Sequence, residues 1–327
     1  MDSFIFALNA VLPIILTVAA GYVLKRLGFM NADFCKRSNR LVFHLFLPCL
    51  LFLNVYKMEG FGGMGGFIVY GSCALLCVFA LGCAVSGLVT REGARRGVIA
   101  QGTFRSNYAL IGIPLAGLLF GDEGTAAATV MSAVSVPMLN VLAVIALSVF
   151  RGGGERKSVK NILIDISKNP LLRAILTGVV CVLVRGLLQK NGIDLRLSDI
   201  KPVFVFLEYL ASIATPLALV TLGAQFDFSA VKELRREIIA GTLLRTAVVP
   251  LLGIGCAYLL FGDTFSGAHF ATFVALFATP VAVSSVPMTQ EMGGDTVLAG
   301  QLVVWTTLFS VFSVFLCALL LRIAGIF

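Results

Sequence analysis

The chain alternates between apolar runs of about 20 residues and short polar interludes. A run of that length crosses a bilayer as a helix, whereas a barrel strand needs only about half as many residues. The runs fall at 4–24, 39–56, 67–89, 98–120, 124–150, 169–189, 202–224, 237–260, 268–290 and 296–323. The third and eighth are the plainest, and the fourth and ninth are the least regular. The pattern predicts an all-α membrane protein with ten transmembrane helices.

Composition agrees with the pattern. The 327 residues are 58% hydrophobic and 13% charged, against about 25% charged in a soluble domain. Too little polar surface remains to solvate a globule. In lipid, the backbone groups must then be satisfied within helices or closed barrels. The run from Phe4 to Leu24 is too long for a signal-peptide core and lacks a basic leader, so it is read as the first span. Eight cysteines, mostly inside apolar runs and without metal-ligand spacing, read as buried thiols rather than disulfides or zinc ligands.

The net charge of +8 suggests nucleic acid only for a soluble protein. Here the basic residues sit in short loops, where they set orientation. Sixteen lysines and arginines follow the odd-numbered spans, and five lie on the other side. The positive-inside rule places the odd loops in the cytoplasm and both termini outside the cytoplasmic membrane. The longest loop, 151–168, opens with Gly152-Gly153-Gly154 and reads as a flexible cytoplasmic linker between two five-span halves, 1–150 and 169–327.

The halves resemble each other. A shift of 173 residues aligns 104–130 with 277–303 and pairs Phe104/Phe277, Ala109/Ala282, Pro114/Pro287, Gly121/Gly294, Asp122/Asp295, Ala126/Ala299 and Val130/Val303. Five spans is an odd number, so the second copy starts on the opposite face and is inverted. Inverted repeats are a device of secondary transporters, which must open to either side.

The fourth span contains Arg105-Ser106-Asn107 and Gly112-Ile113-Pro114. The ninth contains Thr279-Pro280, Ser284-Ser285 and Pro287. Proline removes a backbone donor and clashes with the preceding turn. Irregular backbone at membrane depth is tolerated where it is buried or lines a cavity. Matched interruptions in two halves point to a transporter binding site. Each break exposes the N-terminus of a second half-helix, which favours an anion. Asn107, Thr279, Ser284 and Ser285 add neutral hydrogen bonds without a repelling negative charge. The expected substrate is a small organic anion.

Two segments carry a family resemblance: Asn107-x4-Gly112-x-Pro114 with Gly121, and Thr279-Pro280-Val281-Ala282-Val283 through Glu291-x-Gly293-Gly294-Asp295. Leu47-Pro48-Cys49-Leu50-Leu51-Phe52 and Thr215-Pro216-Leu217-Ala218-Leu219 also fit. The chain resembles the auxin efflux carrier family, which includes plant PIN proteins and bacterial malonate and malate permeases. The resemblance implies a crossover fold shared with bile-acid symporters. Spans 4 and 9 would cross in a mobile transport domain of spans 3–5 and 8–10. Spans 1, 2, 6 and 7 would form a scaffold that dimerises, and transport would be elevator-like. Asn107, Pro114 and Pro280 carry over as crossover and substrate-contact positions. Ser284 stands where the family often has asparagine, and Pro287 is an extra proline. The repeat alignment pairs Pro287 with Pro114, whereas the family pattern puts the crossing at Pro280.

Charged groups inside spans are costly and usually functional. Arg105 could attract a carboxylate or snorkel to the cytoplasmic interface. Arg245, two turns into the eighth span, could face the transport cavity or pair with a carboxylate. Glu208 and His44 are candidates for proton coupling; their plainer readings are an interfacial acid and a structural histidine. Coupling to H+ or Na+ and uniport all stay open, and no cofactor or bound metal is expected. A membrane enzyme would need intramembrane catalytic pairs, and no such motif is present. A receptor or channel would not need inverted halves, and no nucleotide-binding loop supports an ATP-driven pump.

Overall fold

The computed structural model describes residues 2–57, 65–150, 167–192 and 196–327, with the backbone alone for residues 2–11. The linker read at 151–168 lies, but for Ser167 and Lys168, outside the described residues. Every regular element described is a helix: α1 Asp2–Arg26, α2 Ala32–Tyr56, α3 Gly66–Val89, α4 Gly93–Phe104, α5 Tyr108–Phe150, α6 Pro170–Lys190, α7 Lys201–Gln225, α8 Arg235–Phe261, α9 Gly267–Phe277, α10 Ser285–Glu291 and α11 Thr296–Ile323, besides short turns at Leu197–Asp199 and Ala230–Glu233. The only β-type pairing among the described residues is an isolated bridge between Ser106 and Val281.

Among the described residues seven helices are long and apolar enough to cross a membrane: α2, α3, α5, α6, α7, α8 and α11. The ten spans expected, the fourth and ninth of them broken, are matched only in part by this count. The fourth and ninth runs are each split, and α9 is too short to cross alone. The second part of the fourth run joins the fifth in α5 through a kink at Phe120 and Gly121. Gly121 there has φ +60, a left-handed value that glycine adopts without strain.

Three helices carry one turn of π-helix: Val42–Phe46 in α2, Tyr108–Gly112 in α5 and Leu244–Val248 in α8. Each turn ends two residues before a proline: Pro48, Pro114 or Pro250. A proline ring crowds the carbonyl four residues back and supplies no N–H. Widening the preceding turn relieves both problems without ending the helix. The expectation that Pro114 interrupts its span is therefore corrected. The chain leaves the helix earlier, at Arg105–Asn107, and Pro114 lies near the start of α5. Pro287 likewise sits in the first turn of α10, where its missing donor is not needed. Pro280 lies within the 278–284 break.

Helix α1 packs along α7, and α2 packs on α6 and α7. Helices α3 and α4 pack together, α4 also packs on α5, and α9 lies along α5. The α1–α7 contact is a close backbone approach. A Cβ on Gly21 would collide with the Val220 carbonyl, and one on Gly223 with the Val18 carbonyl. Without a hydrophobic drive between helices in lipid, such small-residue contacts supply van der Waals packing. At one end, Arg95 joins Glu92, Glu233, Glu237 and Asp295 at 3.0–3.3 Å, tying the starts of α4, α8 and α11 together. The eight cysteines are free thiols. The expectation that they are buried holds for Cys35 but not for Cys73 and Cys77, which are exposed on the outer face of α3. In an apolar helix facing outward, a small thiol needs no protein partner.

Candidate functional site

The interruptions in the fourth and ninth runs meet. Helix α4 ends at Phe104 and α9 at Phe277, 173 positions later. The two non-helical stretches then run antiparallel through the Ser106–Val281 bridge. The Asn107 N–H donates to the Pro280 carbonyl at 2.8 Å, and the Ala282 N–H to the Arg105 carbonyl at 3.1 Å. The Val281 N–H donates to Thr306 Oγ1 on α11 at 3.1 Å. Breaking a helix in an apolar interior strands donors and acceptors. Here each break satisfies part of the other's deficit.

Arg245 supplies much of what remains. It is fully buried on the π-turn of α8. Its guanidinium donates to the carbonyls of Thr279 (2.8 Å), Leu276 (3.0 Å), Thr103 (3.2 Å) and Phe104 (3.3 Å). Three of these carbonyls belong to the last turns of α4 and α9 and that of Thr279 lies just beyond α9, so the set marks the negative ends of both helices. Each end carries about half an elementary charge, so the two together offset one arginine. Both readings of Arg245 are corrected: among the described residues it pairs with no carboxylate, and it does not line the cavity described next. The break between two helices offers a denser set of acceptors than any single acid.

Arg105 has different surroundings. It is 2% exposed, so it does not snorkel to an interface. Its guanidinium reaches Asn140 Oδ1 at 2.9 Å, Met288 Sδ at 2.9 Å, Ser284 Oγ at 3.0 Å and Gln101 Oε1 at 3.4 Å. All are neutral, and among the described residues no carboxylate pairs with it. Burying a guanidinium without a counter-charge is expensive. An arginine stays protonated at any physiological pH. Its positive charge is therefore available to a ligand.

Arg105 lines a cavity of about 90 Å³ beside Asn54, Ser106, Asn107, Asn140 and Thr215. The Ser106 hydroxyl and the Asn107 side-chain nitrogen are buried and have no partner. Buried polar groups of this kind pair with protein, water or a ligand. Leu50, Leu110 and Thr215 also line a larger cleft of about 630 Å³, walled by Pro114, Pro216 and Ile14.

The other expected site residues divide. Ser284 lines the cavity and accepts from Arg105. Thr279 and Pro280 serve the break itself. The Thr279 hydroxyl donates to the Ala275 carbonyl at 2.7 Å, and neither residue lines the cavity. Ser285 is buried with an unpartnered hydroxyl outside the lining. Gly112 is a packing position, since a Cβ there would come within 3.0 Å of the Ala275 carbonyl. Pro114 walls the cleft. Glu208 pairs with Lys57 at 2.8 Å, and His44 Nε2 lies 3.3 Å from Glu291; neither lines the cavity. Asn54, Asn140 and Thr215 were missed. An asparagine inside an apolar run is the sequence signal that marks two of them.

A 321-residue stretch covering 95% of this chain is 24% identical to an uncharacterized transporter of Methanothermobacter thermautotrophicus and covers 97% of that protein. A second uncharacterized transporter, from Methanocaldococcus jannaschii, is 24% identical over 233 residues, 69% of this chain and 70% of its own. The family model described as membrane transport protein matches residues 6–318. With interrupted helices meeting around a buried arginine and a family match over nearly its whole length, this multi-pass membrane protein belongs to the membrane transport protein family, the family of the auxin efflux carriers.

Proposed function

We propose that this protein is a secondary carrier of a small organic anion, and not an enzyme, with the substrate's carboxylate held by Arg105, Asn107 and Ser106. The observation that carries the reading is the buried Arg105 guanidinium, lacking an acidic partner among the described residues and opening on a cavity with two unpartnered polar groups. A carboxylate would satisfy all three at once. The polar lining suits the carboxylate of a short acid such as lactate or malonate, and the neighbouring cleft leaves room for the body of a longer one such as an indole carboxylate.

The architecture we propose has ten spans in two inverted five-helix repeats, 1–150 and 169–327, whose fourth and ninth spans cross at the breaks. It is supported by the ends of α4 and α9, which differ by the same 173 residues as the sequence repeat. Helices α3–α5 and α8–α11 would move as one transport domain against a scaffold of α1, α2, α6 and α7, in an elevator-like step. The close α1–α7 contact supports a rigid scaffold, through which the protein would form a homodimer. Basic loops support a cytoplasmic-membrane orientation with both termini outside. Coupling to H+ through Glu208 or His44 is not favoured by their positions outside the cavity.

Purified protein in liposomes tests the reading. Labelled malonate or lactate should enter, and Asn107→Ala should lose about 10-fold or more of that uptake while keeping its melting temperature. Wild-type uptake at the rate of empty liposomes, across a panel of small carboxylates, would refute it.

A further inference from the structure

The cavity that Arg105 lines has two walls of different origin. One comes from the breaks and α5 and carries Arg105, Ser106, Asn107, Asn140 and Ser284. The other is mostly leucine from α2, with Asn54 near the end of that helix and Thr215 on α7. On the first wall Asn140 is fully occupied: Oδ1 accepts from Arg105 at 2.9 Å, and Nδ2 donates to the Val136 carbonyl at 2.8 Å. Ser284 Oγ accepts from Arg105 at 3.0 Å, and the Tyr108 hydroxyl donates to the Ala128 carbonyl at 2.8 Å. Arg105, Ser106 and Asn107 are assigned to the carboxylate. Asn54 and Thr215 are the polar side chains of the lining that remain. Both are half-buried. A helical threonine can bond the carbonyl one turn back, and Thr103, Thr246, Thr272, Thr306 and Thr307 do so at 2.6–3.0 Å. Among the described residues no hydrogen bond reaches Thr215 or Asn54.

We propose that Asn54 and Thr215 are specificity-determining residues, which bind an uncharged oxygen, a hydroxyl or keto group, on the body of the cargo. This rests on the anion-carrier reading above and adds a second contact, on the wall facing the carboxylate. The chemistry of the two side chains sets what they select. An amide and a hydroxyl each offer a donor and an acceptor, so a hydroxyl finds both and a keto oxygen finds two donors. The α2–α7 wall carries no charged side chain, and a second ionised group against it would lack a counter-charge. A plain hydrocarbon body would displace water from both side chains and return no hydrogen bond. An oxygen in the same place replaces that water with bonds of similar quality. Discrimination then comes from polar groups left unpaired by the wrong cargo. Two neutral hydrogen bonds at a half-buried surface give a preference of about 10-fold or more.

The experiment titrates the purified full chain with acids that share a carboxylate and a three-carbon chain: propionate, lactate, 3-hydroxypropionate and pyruvate. Calorimetry at neutral pH, where all four are ionised, gives the affinities. The expected result is at least one oxygenated acid bound about 10-fold or more tighter than propionate, and the probe that wins reports where along the chain the contact falls. Asn54→Leu and Thr215→Val remove hydrogen bonding at nearly constant volume. Together they should bring the oxygenated acids down to the affinity of propionate and leave propionate no weaker. Thr215→Ser, which keeps the hydroxyl, should retain the preference. A merely structural role would weaken all four acids alike, and would not be rescued by serine at 215 in the ratio between them. Equal binding of propionate and every oxygenated acid by the wild type would overturn the inference and leave the carrier reading intact. So would a wild-type preference that survives in the double variant. Binding of none of the four acids would overturn the carrier reading and this inference with it. Where the double variant does not fold, the single variants and the wild-type ratio still decide the matter.

Discussion

Replacing Arg245 by methionine should destabilise the protein far more than it alters ligand recognition. The side chain is fully buried and donates to four backbone carbonyls at 2.8, 3.0, 3.2 and 3.3 Å. Methionine fills much of the volume but supplies no donor. Each buried carbonyl left without a partner costs roughly 1–3 kcal/mol. At the low end, four of them cost about 4 kcal/mol, a large share of the roughly 5–15 kcal/mol that holds a domain folded. The same change also leaves two helix C-termini facing each other across the break without a cation. At about 2–4 °C per kcal/mol for a protein above 150 residues, the melting temperature should fall by about 10 °C or more. Thermal unfolding in detergent, followed by loss of the monodisperse peak, measures this directly. Arg245→Lys should fall between, because one ammonium keeps the charge but cannot reach carbonyls on two helices in a planar fork. A melting temperature for Arg245→Met within about 2 °C of wild type would refute the assignment of Arg245 as the group that closes both breaks.

Two further outcomes follow from packing and polar contacts. Gly223→Ala places a Cβ against the Val18 carbonyl, where α1 and α7 have no room to separate without losing their contact. It should lower the melting temperature by several degrees, corresponding to about 1–3 kcal/mol of overpacking, while Gly186→Ala on α6, with open space around it, should not. Helix α10 is tied to α2 by Asn39 Nδ2 donating to Gln290 Oε1 at 2.9 Å, Gln290 Nε2 donating to the Lys36 carbonyl at 3.1 Å, and the His44–Glu291 contact at 3.3 Å. If α10 belongs to a moving domain and α2 to its scaffold, these contacts separate during transport. Replacing both Gln290 and Glu291 by alanine should then raise maleimide labelling of the buried Cys35, assayed with the other cysteines replaced by serine, by severalfold. An unchanged labelling rate would show that this contact does not restrain the opening.

Much of the scaffold was legible in the chain because membrane helices are local. A run of 20 apolar residues has one low-energy solution in lipid, with its backbone bonds closed inside the run. Even the irregular places were visible. Arg105-Ser106-Asn107 and Thr279-Pro280 interrupt apolar runs at matching distances along the chain, and those residues are where the helices end and meet. The count of continuous spans was less legible, because a split run and two runs fused through a kink look alike in hydropathy.

Tertiary structure alone decided what each polar group faces. Arg105 and Arg245 are similar residues in similar apolar surroundings, and the sequence offers no means to rank them. Their roles separate only because the fold brings Thr103, 142 positions away, to Arg245 and Asn140 to Arg105. His44 and Glu291 meet across 247 positions, and Asn39 finds Gln290 across 251. Whether a helix crosses the bilayer depends on the composition of one run, and so is written in that run. Whether a buried charge is neutralised depends on every group within a few ångströms, which the chain supplies from segments far apart.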